Sequence, residues 1–382
     1  MDRRLVGGFA EWGEFLDDEV SPGAAERDAA ARPIERELLQ RAAAKGILAA
    51  SLPSGLGGGG LQTSEWGTAL EAIGYRCDDG SFSLLVSLYA GVANAVAGSG
   101  RDDLIDRYIG PFISGDCLLS FAYTENADPF SFASTLRDDG QEIVVNAEKR
   151  MITGGQQADG FVVYARDERT GDLGVVIVER DDPGVRVEPV SVMGVRAAGL
   201  ARLEVSDARV PAWRALQRGG GLTHVQRFLN RRRILLCCAP LGRMGRLLEG
   251  VIDDVTGRIR HGRRVADLQN VQATIGRMHV QLAVARQTVY SALEAAQAAS
   301  PDDTWTPAIA VAKYTVTESA LSIVQSALRI TGGNGYTAEG RIERDVRDFH
   351  GLLAGAGAQD ILEVDLGANA ISARERQRRF EA

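Results

Sequence analysis

Few residues in this 382-residue chain combine types and spacing that suggest chemistry. The turn Gly332-Gly333-Asn334-Gly335 places glycines close together, so that backbone amides can approach a ligand. A second glycine run, residues 55–60, lacks the Lys-Ser/Thr that should follow a phosphate loop and the strand that should precede it, and reads as a flexible connector. The run Arg231-Arg232-Arg233, with Arg227 nearby, could meet an acidic partner or form a solvated helix face. Cys77, Cys117, Cys237 and Cys238 show no Cys-x-x-Cys or Cys/His spacing, so no metal is expected. They read as reduced, mostly buried thiols of a cytoplasmic protein.

The elements that must position these residues follow from pattern. Hydrophobic residues make up 45% and charged residues 25%, ordinary for a soluble globular chain. The net charge of −8 argues against a nucleic-acid partner, which wants a basic field. The first fifteen residues carry acids too early for a signal peptide, and no run approaches eighteen apolar residues, so no membrane span is expected. Residues 24–45 are rich in helix formers, and helical pattern resumes over 66–73 and 82–97. From about Cys117 the period changes. Residues 142–146, 161–164 and 175–178 are β-branched runs separated by turn chemistry at 138–140, 170–172 and 181–184. This predicts an antiparallel β segment closing near Val210-Pro211. Helical period then persists to the end, with Val271, Ile275, Met278, Leu282, Ala285 and Val289 as one buried stripe. Nothing resembles a βαβ unit, which argues against a Rossmann cofactor site.

Four motifs, in order and at fixed spacing, resemble the acyl-CoA dehydrogenase family from about residue 30 to 375. Ala122-Tyr-Thr124-Glu125, with the polar loop 126–131, looks like the family's Thr-Glu-Pro-x-Ala-Gly-Ser-Asp segment, with Asn126 in place of the proline. Asn146-Ala-Glu-Lys149-Arg-Met151-Ile152-Thr153 resembles Asn-Gly-x-Lys-x-Phe/Trp-Ile-Thr/Ser. The resemblance implies that Thr124, Met151, Ile152 and Thr153 lie against the ring of an FAD cofactor, Met151 offering an apolar contact where relatives stack an aromatic. Arg258-Ile-Arg-His261-Gly262 and then Gln269 keep the family's Arg-x-x-Phe-Gly and Gln spacing, His261 standing in the Phe slot. It implies that Arg258 grips the flavin pyrophosphate, a natural partner for a guanidinium fork, and that Gln269 reaches the same cofactor across a subunit interface. Arg329, Gly332, Gly333, Gly335 and Tyr336, followed by Glu343-Arg344 and Arg347-Asp348, match the Gly-Gly-x-Gly-Tyr and Glu-Arg-x-x-Arg-Asp segments. Arg329 stands where relatives carry a glutamine that touches FAD.

The implied fold is α+β: an N-terminal helical domain (1–115), a central antiparallel β-barrel domain (116–214) and a C-terminal four-helix bundle (215–382), assembled as a homodimer or homotetramer. Relatives remove an α-proton with a glutamate. Counting from Asp348 puts that position at Ala356, and the other base position used in the family falls on Arg232. Asp360, one helical turn beyond Ala356, is the weak replacement on offer. Losing a general base typically costs about 10²–10⁴-fold in rate. Three functions follow: an oxidoreductase acting on an acyl thioester of CoA or an acyl carrier protein, with Arg232, Arg233 and Tyr336 as substrate contacts; a two-component monooxygenase fed by a flavin reductase; or a non-catalytic flavin binder. An electron-transfer partner is expected for the first.

Overall fold

The computed structural model describes residues 10–125, 132–298 and 307–381. Six helices come first: α1 (Ala10–Phe15), α2 (Ala24–Ala29), α3 (Arg36–Ala44), α4 (Thr63–Arg76), α5 (Gly80–Ala97) and α6 (Asp102–Ser114). The helix expected over 24–45 is two helices. Ala31 has a positive φ of 48° and Pro33 follows, a pair that cannot continue a helix. Residues 55–60 form a fixed turn rather than a flexible connector. The amides of Gly59, Gly60 and Leu61 donate to the carbonyls of Ala49, Leu52 and Ala50 at 3.0, 2.8 and 3.0 Å.

Helix α5 corrects the reading that no segment is apolar enough to span a membrane, since its eighteen residues suffice by length and composition. Its place in the protein accounts for this, because 72% of it is buried in the core. Asp79 caps it, accepting from the amides of Ser81 (2.9 Å) and Phe82 (3.3 Å).

The strands are β1 (Leu119–Ala122), β2 (Thr135–Asp139), β3 (Glu142–Ile152), β4 (Gly160–Asp167), β5 (Leu173–Glu179), β6 (Val185–Pro189), β7 (Ala201–Pro211) and β8 (Ala215–Gln217). They pair in the order β6-β7-β3-β2-β4-β5-β8, with β1 also on β4. The sheet is mixed rather than wholly antiparallel. One edge of β4 accepts β1 along its first half and β2 at its end, both parallel. The sheet also runs past the expected boundary at 214, to Gln217. Alternation along β4 explains its unbroken apolar run. Phe161, Val163 and Ala165 enter the core inside the sheet, while Val162 and Tyr164 enter the core shared with the helices.

Helix α7 (Gly221–Gly257), hairpin β9–β10 (Ile259–Arg260, Arg263–Arg264), α8 (Gln269–Ala298), α9 (Pro307–Thr331), α10 (Gly333–Tyr336), α11 (Arg341–His350) and α12 (Gln359–Glu381) complete the chain. The expected stripe on α8 is buried at Val271, Met278, Leu282, Ala285 and Val289 and half-buried at Ile275. Cys77, Cys237 and Cys238 are buried and unpaired.

Three parts of the chain meet at one ionic cluster. Arg243 of α7 pairs with Asp345 and Asp348 of α11, the latter at 3.0 Å. All three are buried. Asp348 also accepts the amide of Val195 from the β domain at 2.6 Å. Around them Arg347 holds Asp28 (2.6 Å) and Glu343 (2.8 Å), Arg341 and Arg246 hold Asp78 (2.5 and 2.7 Å), and Arg27 holds Asp79 (2.9 Å). Thus Arg347 and Asp348 of the fourth motif join domains within one protomer, and Glu343 holds Arg347 along the same helix. Burial opposes the charge on Arg243, but Asp345 and Asp348 outweigh it and hold its pKa above the ordinary arginine value. Arg243→Ala would leave two buried carboxylates without their cation, and a loss of about 3–5 kcal/mol in urea unfolding is expected. Gly80→Ala should destabilise through the same cluster, because a Cβ there falls on Arg243 Nη1.

Candidate functional site

The start of helix α7 touches both the sheet and the loop after α11. Phe228 stacks on Phe121 of β1, ring centres 4.4 Å apart and planes 20° apart. One and a half turns on, Arg233 Nε donates to the carbonyl of Ala356 at 2.7 Å, and Nη1 to Asn230 Oδ1 at 3.3 Å. Ala356 is half-buried, with a left-handed φ of 56°. Its loop therefore lies against the helix segment that faces the end of β1. Asp360 is exposed on the first turn of α12.

Beyond Phe121, the backbone turns into Tyr123, Thr124 and Glu125. The carbonyl of Thr124 accepts the amide of Arg150 at 2.8 Å, so the second motif folds against the first. Thr124 is exposed, Met151 is 51% exposed at a φ of 56°, Ile152 is buried, and the Thr153 carbonyl accepts Ser120 Oγ at 3.1 Å. An exposed methionine fixed in this backbone conformation beside a threonine is a surface on which a flat apolar ring can lie. The loop 126–131 falls outside the described residues.

Below this surface Lys149 is fully buried. Its Nζ meets Glu125 Oε1 at 2.5 Å and the Tyr123 carbonyl at 3.3 Å, and lies 4.8 Å from the centre of the Phe132 ring. Glu125 also accepts the amides of Ala133 (2.8 Å) and Ser134 (3.4 Å). The pair clamps both ends of the loop, a role that the sequence does not announce. An aromatic cluster borders it: Phe121, Tyr123, Tyr164 and Phe132, with Tyr164 Oη 2.8 Å from His224 Nδ1. Burial, and secondarily Arg227, push the His224 pKa down, which favours a neutral ring. These residues come from four separate elements, and no spacing in the sequence joins them.

A second cluster forms at the far end of helix α7. Arg258 donates through Nη2 to the Ile330 carbonyl at 2.7 Å and pairs with Asp254 at 3.0 Å. The arginine of the third motif is thus attached to the glycine turn of the fourth. Its Nε is buried without an acceptor among the described residues. Gly332 has φ 64° and ψ −136°, a conformation essentially restricted to glycine, and it opens onto free space, as does Gly333. Gly335 is buried, while Arg329, Gln269 and Tyr336 are exposed, Tyr336 by 80%. His261 sits at the tip of the β9–β10 hairpin with φ 48°, rather than on a helix. An orphaned guanidinium nitrogen beside an open glycine turn fits an anionic cofactor segment. No group of three or more metal-ligating side chains occurs among the described residues.

The two clusters are about 37 Å apart along helix α7, counting 25 residues from Arg233 to Arg258 at 1.5 Å each.

Residues 10–116, 120–208 and 219–371 match the acyl-CoA dehydrogenase N-terminal, middle and C-terminal domains, respectively. The chain belongs to the acyl-CoA dehydrogenase family. An acryloyl-CoA reductase (NADH) of Anaerotignum propionicum is 30% identical over 349 residues, covering 88% of this chain and 86% of that protein. A 3-(aryl)acrylate reductase of Clostridium sporogenes is 26% identical over 369 residues, covering 93% of this chain and 95% of the relative. Among solved structures, the prolyl acyl carrier protein oxidase AnaB superposes with a TM-score of 0.90 at 22% identity, over 97% of this chain and 99% of that one. This acyl-CoA dehydrogenase homologue is a flavin oxidoreductase by family.

Beneath the Ala356 loop lies another buried cation. Lys313 Nζ has Gln359 Oε1 at 3.1 Å as its partner. Burial pushes both Lys149 and Lys313 down to about 8, against 10.5 in an ordinary lysine. The folded chain therefore releases these protons near pH 8, whereas the unfolded chain holds them up to about 10.5. The unfolded state binds more protons across that window, so stability attributable to these groups rises as pH rises from 8 towards 10.5. Lys313→Met should flatten this rise in urea unfolding at pH 8, 9 and 10.

Proposed function

We propose that this acyl-CoA dehydrogenase homologue is an FAD-dependent oxidoreductase acting on an acyl thioester presented on CoA or on an acyl carrier protein. One helix carries the reading: α7 holds Ala356 through Arg233 and the end of β1 through Phe228, so the empty base position and the Thr124–Met151–Thr153 surface border one space. In that space Thr124, Met151, Ile152 and Thr153 would hold the flavin ring, which supplies a two-electron acceptor or donor. Arg233 fixes the loop that faces the reacting carbon. The small side chains of Ala354, Ala356 and Ala358 leave room for a substrate bulkier than a straight acyl chain.

Arg258, Gln269, Arg329, Gly332, Gly333 and Gly335 would grip the FAD of a second copy of the chain rather than one lying on Met151 of their own. The ~37 Å separation along α7 supports a flavin site shared between two copies of the chain. Exposed apolar residues near the second cluster and on the last helix, among them Tyr336, Ile259, Val364 and Ile371, support self-association as a homodimer or homotetramer. Electrons would pass to or from a separate electron-transfer protein or reductase. The free thiols Cys77, Cys117, Cys237 and Cys238 support a reducing compartment such as the cytoplasm.

Arg258→Ala should weaken FAD binding by about 1.5–3 kcal/mol in a fluorescence titration, the scale of a hydrogen bond to a charged group. Ordinary saturated acyl-CoAs should be poor substrates, because no acid stands at Ala356 or Arg232. Butyryl- or octanoyl-CoA should leave the wild-type flavin absorbance unchanged in anaerobic mixing, and rapid bleaching would contradict the reading. Ala356→Glu should restore measurable bleaching. Residue 356 is already left-handed with a Cβ in place, so glutamate brings no new backbone strain, and the neighbouring arginines would keep it ionised as a proton acceptor. Bound FAD with no gain in Ala356→Glu would favour the monooxygenase chemistry instead.

A further inference from the structure

The three consecutive arginines of helix α7 have three different surroundings. Arg231 is exposed. Arg233 is engaged with Ala356 and Asn230. Arg232 is half-buried, and among the described residues no hydrogen-bond acceptor or carboxylate reaches it. Burial alone depresses its pKa, to about 10, with no charged neighbour contributing, so it remains a cation at neutral pH. Among the described residues, Glu125 is paired with Lys149, Glu318 accepts from Gln359, and Asp365 acts on Arg233. Arg232 is only half-buried, so its guanidinium stays accessible while no carboxylate among the described residues neutralises it, and an anionic ligand can reach it.

Helical spacing says where that anion sits. Four residues before Arg232 is Phe228, stacked on Phe121. Four residues after it is Leu236, whose Cδ2 lies 3.5 Å from the place of a Cβ on Gly355. Positions i−4, i and i+4 share one helix face, so Arg232 faces the space between the end of β1 and the loop 355–357. The acyl group occupies this space in the function proposed above, on which the inference rests. The phosphates of a CoA or carrier arm would stay at the mouth, nearer the exposed Arg231.

We infer that Arg232 binds a carboxylate carried by the acyl group itself, so that the substrate class is an ω-carboxyacyl thioester. The site inverts the charge found in relatives: the position that can hold a base carries a cation, and the acid comes in on the substrate. The inference concerns recognition, and Arg232 acts as a specificity-determining residue.

The probes are glutaryl-pantetheine and pentanoyl-pantetheine, equal in acyl length and common to CoA and carrier-bound substrates. Their dissociation constants are measured by calorimetry on the flavin-loaded protein without an electron acceptor. Wild type should bind the glutaryl thioester at least ~10-fold more tightly, as a charge-assisted pair demands. Arg232→Gln should bring the two constants within about threefold, and Arg232→Lys should keep part of the preference. Equal or tighter binding of pentanoyl-pantetheine by wild type overturns the inference while leaving the acyl-thioester function standing. Preference that survives in Arg232→Gln overturns the assignment to Arg232. Binding of neither thioester to flavin-loaded protein overturns both the inference and the function on which it rests. The wild-type comparison decides the substrate class even where a variant fails to fold.

Discussion

The pairing of Arg243 with Asp345 and Asp348 is the constraint on which the rest of the structure depends. Helix α7, helix α11 and the loop at Val195 meet there, and Arg27, Asp28, Asp78 and Asp79 bring the N-terminal helices to the same cluster. Buried ionic groups are poor sources of net stability, because desolvation offsets much of their attraction. Their contribution here is specificity of arrangement. A shift of one domain against another would strand a charge, so the cluster favours one relative placement of helix α7, the β domain and the loop carrying Ala356.

That placement determines the site. Helix α7 reaches the sheet through Phe228, the base-position loop through Arg233, and the glycine turn through Arg258. The same helix length that joins these contacts also separates them. The Phe121 contact and the turn at Gly332 belong to opposite ends of helix α7.

Cations gather around the loop that carries Ala356. The space beside Ala356 is bordered by Arg232 and Arg233, with Lys313 beneath the loop and Lys149 beneath the sheet surface. Lys149 has a carboxylate partner, Lys313 an amide, Arg233 a carbonyl and an amide, while Arg232 has none among the described residues. A site with such a balance holds an anion more readily than it removes a proton.

Much of this was legible in the residues. The change from helical to strand period at Cys117 and back after Pro211 located the three segments, because side-chain alternation must match the core that each element faces. Motif spacing pointed to Ala356 and Arg232 as the expected base positions, since a fixed number of residues on a helix or turn sets a fixed geometry. Other features depended on tertiary contact. The parallel pairings on β4 involve strands whose sequences are the same whichever way a neighbour runs, so only the assembled sheet sets their direction. The glycine run at 55–60 looked flexible because its hydrogen-bond partners, Ala49, Ala50 and Leu52, are invisible to composition. The Glu343, Arg347 and Asp348 side chains matched a family motif, yet their partners lie up to 319 residues away. Sequence by itself determined which elements form and which residues are candidates for the chemistry, because both depend on local pattern and spacing. Tertiary structure alone decided which charges are neutralised and which are left for a ligand, because pairing depends on residues that meet only when the chain has folded.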